Sequence, residues 1–299
     1  MAARILAAAL SLALAAMPAR VAAALDMAGV FDSTGPEITI SWEYLETPGR
    51  KAEMQAVIDG FAAMVDNEFL PRDPHAGIEI VMTDDAAHFA SYMRRNYPAI
   101  DIPKYGVFVS DGRLVTYSRS GVGTVTSLLL PGLLRDGYDD LPQWAVTGLR
   151  TYFEKFYGFW ETDAAAGQRV VRFAHGYHNP WRLQDIRLLL PDLKLANLVS
   201  DTPTVDGTRY QSQQRLLMIF IWKEGKLPAF MAALRARDRK MYPTYLEAVF
   251  GQPLEALQPR FRAFQETILA HWNLVMRTPP SQVYADRATF EAMTASVWR

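Results

Sequence analysis

Over residues 37–44, EITISWEY, hydrophobic and polar positions alternate strictly. Ile38, Ile40, Trp42 and Tyr44 fall on one side and Glu37, Thr39, Ser41 and Glu43 on the other. A period of two predicts a strand with one buried face, ended by Thr47-Pro48-Gly49. From 51 to 69 the period becomes helical: Met54, Val57, Ile58, Phe61, Met64 and Val65 recur at spacings of three and four. Pro71 and Pro74 stop that helix. A second strand is predicted at 78–82. Thr83-Asp84-Asp85 then supplies the cap of a helix reaching Asn96. Residues 105–110 and 113–118 read as two further strands joined at Asp111-Gly112, a hairpin turn signal.

After Gly123 the alternation disappears. Residues 124–134 are densely apolar, and 141–158 are aromatic-rich with helical spacing. Residues 159–205 read as irregular, broken at Asn179-Pro180, Pro191 and Pro203, with one short helix at 181–190. Helices are predicted at 208–224, 226–237, 241–250 and 253–272, punctuated by Gly225, Pro243, Gly251 and Pro253. A linker at 278–281 precedes a last helix at 286–297. Strands first and helices afterwards make an α+β protein. Its expected parts are a mixed or antiparallel sheet lobe with two helices at 25–120, a helical lobe at 121–275, and a linker with a short helix at 276–299.

The first 24 residues have a different character. Arg4 precedes an apolar run at 5–17, and Ala22 and Ala24 form a small-residue cleavage site. This is the pattern of an export signal, and the run is shorter than the roughly 20 residues that cross a bilayer. A periplasmic or secreted protein is therefore expected, with no membrane span after the signal is removed. Half of the chain is apolar, enough for a full core. Lys plus Arg total 31 and Asp plus Glu 32, a formal charge of −1. Removing 1–24 takes away Arg4 and Arg20, leaving 29 against 32 and a charge of −3. No basic excess points to nucleic acid. The absence of cysteine excludes disulfides, thiolate zinc sites and Cys nucleophiles.

The most distinctive segment is LPQWAVTGLRTYFE at 141–154. It resembles the second active-site helix of gluzincin-type zinc metallopeptidases, the peptidase-MA-like families. There Pro-x-Trp precedes Glu-Gly-Leu-Ala and an aromatic-acidic stretch. Pro142, Trp144, Gly148, Leu149, Tyr152, Phe153 and Glu154 match that pattern. The zinc-ligand Glu of the family falls on Thr147. Upstream, TVTSLLLPGLL at 124–134 aligns with the HExxH helix: Ser127 and Pro131 stand at the two His positions and Leu128 at the general-base Glu. Zinc hydrolysis needs two imidazoles one helical turn apart and a carboxylate to take a proton from bound water. None is present, and no His or Glu occurs between Phe89 and Tyr152. Downstream, the helix containing Tyr210 and the series Phe250, Gly251, Leu254, Leu257, Phe261 resemble the helical tail of these families. The likeness spans residues 36–268.

The resemblance implies a two-lobe metallopeptidase-like arrangement that carries no zinc and no other cofactor. In active relatives a substrate strand adds to the sheet edge near the metal, an interaction of backbone groups that needs no metal. A peptide or envelope-protein segment would then bind without hydrolysis in a cleft flanked by 105–118 and 141–154. Trp144, Glu154 and Tyr210 are the candidate cleft residues. Pro131, costing about 3 kcal/mol in a helix interior, predicts that its helix starts or kinks there.

Two other readings stand beside this one. His175 and His178 in HGYHNP, with Asp185 downstream, give a non-ancestral metal site and a hydrolase, although a loop with Gly176 and Pro180 is a poor frame for a metal. A structural subunit of an envelope assembly is the other. Further motifs carry little chemistry. Ser120 in SRSGVG lacks the G-x-S-x-G frame. Asp84-Asp85 reads as a cap and Asp139-Asp140 as a turn. His75, His88 and His271 are isolated, and the basic stretch Arg235, Arg237, Arg239 and Lys240 reads as a solvated helix end.

Overall fold

A computed structural model describes residues 38–65, 77–138, 141–162, 167, 169–174, 179–189, 193–200, 207–235 and 244–297. The export signal, the helix-stopping Pro71 and Pro74, the histidines 75, 175 and 178, Asp139-Asp140 and the basic residues 237–240 lie outside the described residues.

Four strands make one sheet in the order β1-β2-β4-β3: β1 is Ile38–Trp42, β2 Ile78–Thr83, β3 Gly106–Phe108 and β4 Leu114–Tyr117. β1, β2 and β4 are parallel, and β3 runs antiparallel along the outer side of β4. Helix α1, Pro48–Met64, connects β1 to β2, and α2, Ala86–Asn96, follows β2. Both begin as their sequences dictate. Thr47 accepts from the Arg50 amide, with Pro48 at the first helical position. Asp85 Oδ1 accepts from the amides of Ala87 and His88, each at 2.9 Å. The β3–β4 hairpin turns where Asp111-Gly112 predicts it, the Gly112 amide donating to Val109 O at 3.0 Å.

The register explains which residues are buried. Ile38 pairs with Ile78, and Ile80 with Ile40 and Leu114. These residues share the face that packs on α1 and on α3, Val122–Tyr138. Val81 pairs with Val115, and with Tyr117 they form the opposite face, covered by Phe89, Tyr92 and Met93 of α2. Each strand thus contributes alternate side chains to two separate apolar layers.

The remainder is mainly helical. α4 is Gln143–Tyr152, followed by a 3₁₀ turn at Phe153–Lys155 and the antiparallel hairpin β5, Tyr157–Thr162, and β6, Arg169–Ala174. Then come α5 (Pro180–Leu189), α6 (Leu195–Leu198), α7 (Gly207–Lys223), α8 (Leu227–Arg235), α9 (Tyr245–Phe250), α10 (Leu254–Ala270), α11 (Trp272–Arg277), α12 (Pro280–Val283) and α13 (Arg287–Val297). The α+β class holds. Among the described residues no helix is long and apolar enough to cross a membrane.

Three features differ from the sequence expectation. The helix at 141–158 ends at Tyr152, and its aromatic continuation is the strand β5. The stretch expected to be irregular contains β6. α3 does not start at Pro131 but at Val122, and carries the proline in its interior.

One main core joins the sheet to the helices. It contains Ile80 and Leu114 of the sheet, Phe61 of α1, Leu129 of α3, Trp144 of α4 and Phe220 of α7. The sheet-bearing part at 25–120 and the helical part at 121–275 therefore share their apolar interior. The C-terminal segment packs on the β5–β6 hairpin: Phe290 is enclosed beside Ala174 and Val283, Tyr284 stacks on Tyr157 at 4.1 Å between ring centres, and Arg287 Nε donates to Glu161 at 2.8 Å.

Candidate functional site

The two helices singled out by the sequence, α3 and α4, pack against each other, and α3 also packs on β3 and β4. β3 lies directly on α3. A Cβ on Gly106 would stand 2.8 Å from Leu128 Cδ1, and one on Gly132 would stand 2.1 Å from Phe108 Cζ. Only glycine allows strand and helix to approach this closely.

The four positions that the resemblance aligned with a zinc site are Ser127, Leu128, Pro131 and Thr147. Ser127 and Thr147 are buried, and Leu128 and Pro131 are half-buried. The Thr147 hydroxyl accepts from Gln143 Nε2 at 3.1 Å. Leu128 belongs to the apolar packing at the edge of the main core. Among the described residues, the one group of three His, Asp or Glu with its donors close together is Asp84, Asp85 and His88. Asp85 is occupied in capping α2, and Asp84 pairs with Arg119 at 3.1 Å. That group is a helix start, as its sequence suggests.

Two of the expected cleft residues are corrected. Trp144 is 1% exposed and packs on Phe230 at 5.7 Å, its buried indole N–H having no hydrogen-bond partner among the described residues. Tyr210 is 4% exposed and part of the main core. Both face inward because α4 and α7 pack closely along their length, which encloses the aromatic side of each helix. Neither offers a surface to a ligand. Glu154 keeps 19% of its side chain exposed. His175 and His178 lie outside the described residues. Asp185, their expected companion, accepts from Ser212 Oγ at 2.8 Å.

Glu154 is the centre of a polar cluster that the sequence did not reveal. Gln143, Thr147, Arg150 and Glu154 follow one another at spacings of four, three and four, so they share one side of α4 and its end. Arg182 of α5 binds the carboxylate with both edges of its fork: Nη2 donates to Oε1 at 2.6 Å and Nε to Oε2 at 3.2 Å. Asn179 Nδ2 adds a bond to Oε2 at 2.9 Å, and Arg182 Nη1 donates to Gln211 Oε1 on α7 at 3.2 Å. One turn further along α7, Arg215 is 2% exposed and donates to Tyr152 O at 3.3 Å. Lys155 lays its ammonium over the rings of Tyr157 and Tyr284, at 5.9 and 5.6 Å.

Burial and charge pull these groups in different directions. Burial pushes the Glu154 carboxyl up, but the Arg182 hydrogen bonds and charge outweigh it, leaving it below the usual carboxylate range. Burial pulls Lys155 down to about 8, helped by the Arg215 charge and opposed by Glu154. Arg150 is also pulled down by burial, against the attraction of Glu154. A cavity of about 10 Å³ opens between Asn179, Arg182, Ser212 and Arg215, room for a single water among polar partners.

The sequence held one clue to this cluster. QSQQR at 211–215 carries polar side chains around every side of a helix that continues as LLMIFIW. Some of them had to be interior, and Ser212, Gln213, Gln214 and Arg215 all are. Their hydrogen-bond partners include Tyr152, Asp185, Ile186 and Gln265, which no local pattern links.

Comparison with family profiles, with curated proteins and with solved structures finds no match for this chain.

Proposed function

We propose that this chain is an exported, catalytically inactive metallopeptidase-like protein that binds a peptide or protein segment as an added strand on β3. The observation that carries the reading is the place of β3. It is the outermost strand of the sheet and lies across α3 at Leu128 and Gly132, on the helix that aligns with HExxH. The Val109 amide donates to Arg113 O inside the hairpin. Alternation along an antiparallel strand then turns the backbone groups of Gly106 and Phe108 outward, where no described strand pairs with them. Backbone pairing of this kind needs no metal. Ser127, Leu128, Pro131 and Thr147 offer hydroxyl and apolar groups in place of two imidazoles and two carboxylates.

The test has two arms. The mature chain, expressed with excess zinc, is expected to hold below about a tenth of a zinc per molecule by elemental mass spectrometry; near-stoichiometric metal overturns the inactive reading. A displayed library of random peptides is then selected on the immobilised protein. The bound peptides are expected to slow amide exchange at 106–108. Selection of no peptide, or protection confined to other segments, overturns strand addition.

A further inference from the structure

The sheet has a second edge, and it is longer than the one at β3. β1 has five residues, ITISW, against three in β3. It pairs with β2 on one side, and no described strand lies on the other. Two hydrogen bonds give the direction of its backbone groups. The Glu43 amide donates to Met82 O at 2.9 Å, so the odd-numbered residues turn toward β2. Gln55 Nε2 donates to Ile38 O from the other side at 2.8 Å. Alternate residues of a parallel strand serve opposite sides, so Ile38, Ile40 and Trp42 point their N–H and C=O groups away from the sheet. β1 contains neither lysine nor proline, the usual guards of a bare edge.

The helix beside this edge carries opposite charges at its two ends. Lys51, Gln55 and Asp59 follow one another at spacings of four, so they share one side of α1. Lys51 holds its ammonium over the Trp42 ring, 5.6 Å from its centre. The same Gln55 amide that holds Ile38 O donates to Asp59 Oδ1 at 2.7 Å. The cation therefore stands at the end of β1 and the carboxylate at its start. Asp59 is exposed.

This arrangement is self-complementary under a two-fold rotation. An antiparallel copy of β1 sets Ile40 opposite Ile40, Ile38 opposite Trp42 and Thr39 opposite Ser41. Each Lys51 then arrives at the Asp59 end of the other α1. A free peptide on this edge leaves both charges unanswered. We propose that two copies of this chain associate through β1, antiparallel across a two-fold axis, so that the two four-stranded sheets become continuous and a Lys51–Asp59 pair closes each side of the axis. β3 stands at the far side of the sheet, with β2 and β4 between. Strand addition there neither needs nor hinders this association, and failure of one assignment leaves the other intact.

The test is sedimentation equilibrium of the mature chain at pH 7, up to about 100 μM, which detects association into the micromolar range. Twice the chain mass is expected as concentration rises, with slower amide exchange at 38–42. Asp59→Lys sets two lysines against each other across the axis and is expected to raise the dissociation constant about tenfold or more. Adding Lys51→Asp to it restores opposite charges and is expected to bring the constant back to within about threefold of the parent. Within one chain the two positions lie about 12 Å apart along the helix, so no contact inside the chain accounts for such a rescue. Ile40→Pro, which removes an outward donor and no bond to β2, is expected to abolish association. Circular dichroism and melting check that each variant folds, and the exposed Asp59 keeps the test readable if Ile40→Pro does not. Single-chain mass at every concentration overturns the proposal. So does a dimer indifferent to Asp59→Lys, or one that the double variant fails to restore. Protection of 38–42 that appears only with an added peptide gives the edge to a peptide and overturns it as well.

Discussion

Glu154 shows how one side chain fixes several others. Its two oxygens collect Arg182 and Asn179 from α5 and its approach, and through Arg182 they reach Gln211 of α7. Glu154→Gln keeps the size but removes the charge that compensates Arg182, whose side chain is only 20% exposed. Breaking one partner of such a pair costs about 3 kcal/mol, so a clear fall in the urea midpoint is expected, with unchanged slope. Lys155 makes a prediction with pH as its variable. Its folded value is about 8 against an ordinary 10.5. Between these values the unfolded chain holds a proton that the folded chain has released, so stability rises with pH across that window. Tyr157, whose phenol burial pushes up, opposes the rise only as the pH nears the ordinary tyrosine value of 10. Urea unfolding at pH 7.5 and 9.5 is expected to show the increase in the wild-type chain and a smaller one in Lys155→Met. An equal increase in both assigns the effect to other groups.

At the scale of elements, the contact between β3 and α3 decides whether the sheet edge keeps its place. Gly132→Ala puts a methyl where the Phe108 ring lies. Overpacking of this kind costs about 1–3 kcal/mol, and faster amide exchange at 106–108 is expected with it. A variant as stable as the parent, with unchanged exchange, would show that strand and helix separate without cost. The same scale shows what the sequence could tell. α2 was legible from Asp85 at its start to Asn96 at its end, because a capping carboxylate and a helical period are both local. The β5–β6 hairpin was not. Tyr157, Phe159 and Trp160 suit a strand as well as an aromatic helix face, and the residues that settle the matter, 169–174, are distant partners. Trp144 and Tyr210 failed for a related reason. Spacing places an aromatic on a side of a helix, but what packs against that side is decided by α7 and α8. The Glu154 cluster draws on three separate segments, which no local spacing connects.

For the whole molecule, the core that runs from Ile80 to Phe220 makes the sheet and the helices one cooperative body. The C-terminal segment stands partly outside it, with its own small cluster around Phe290. Phe290→Ala is expected to free that segment locally. Proteolysis within 278–297 accelerates, while the urea midpoint of the main transition shifts little. A large drop in that midpoint would instead join the segment to the main body. The length of β3 has a consequence of a different kind. Three residues offer at most two outward N–H and two outward C=O groups, half of them on Gly106, which is buried. At about 1 kcal/mol net for each hydrogen bond, this amounts to millimolar association at best before the cost of ordering a free peptide. A partner held only by this edge would leave almost as soon as it arrived. Lasting occupancy therefore calls for a tether: a segment of something already anchored nearby, whose local concentration substitutes for intrinsic strength.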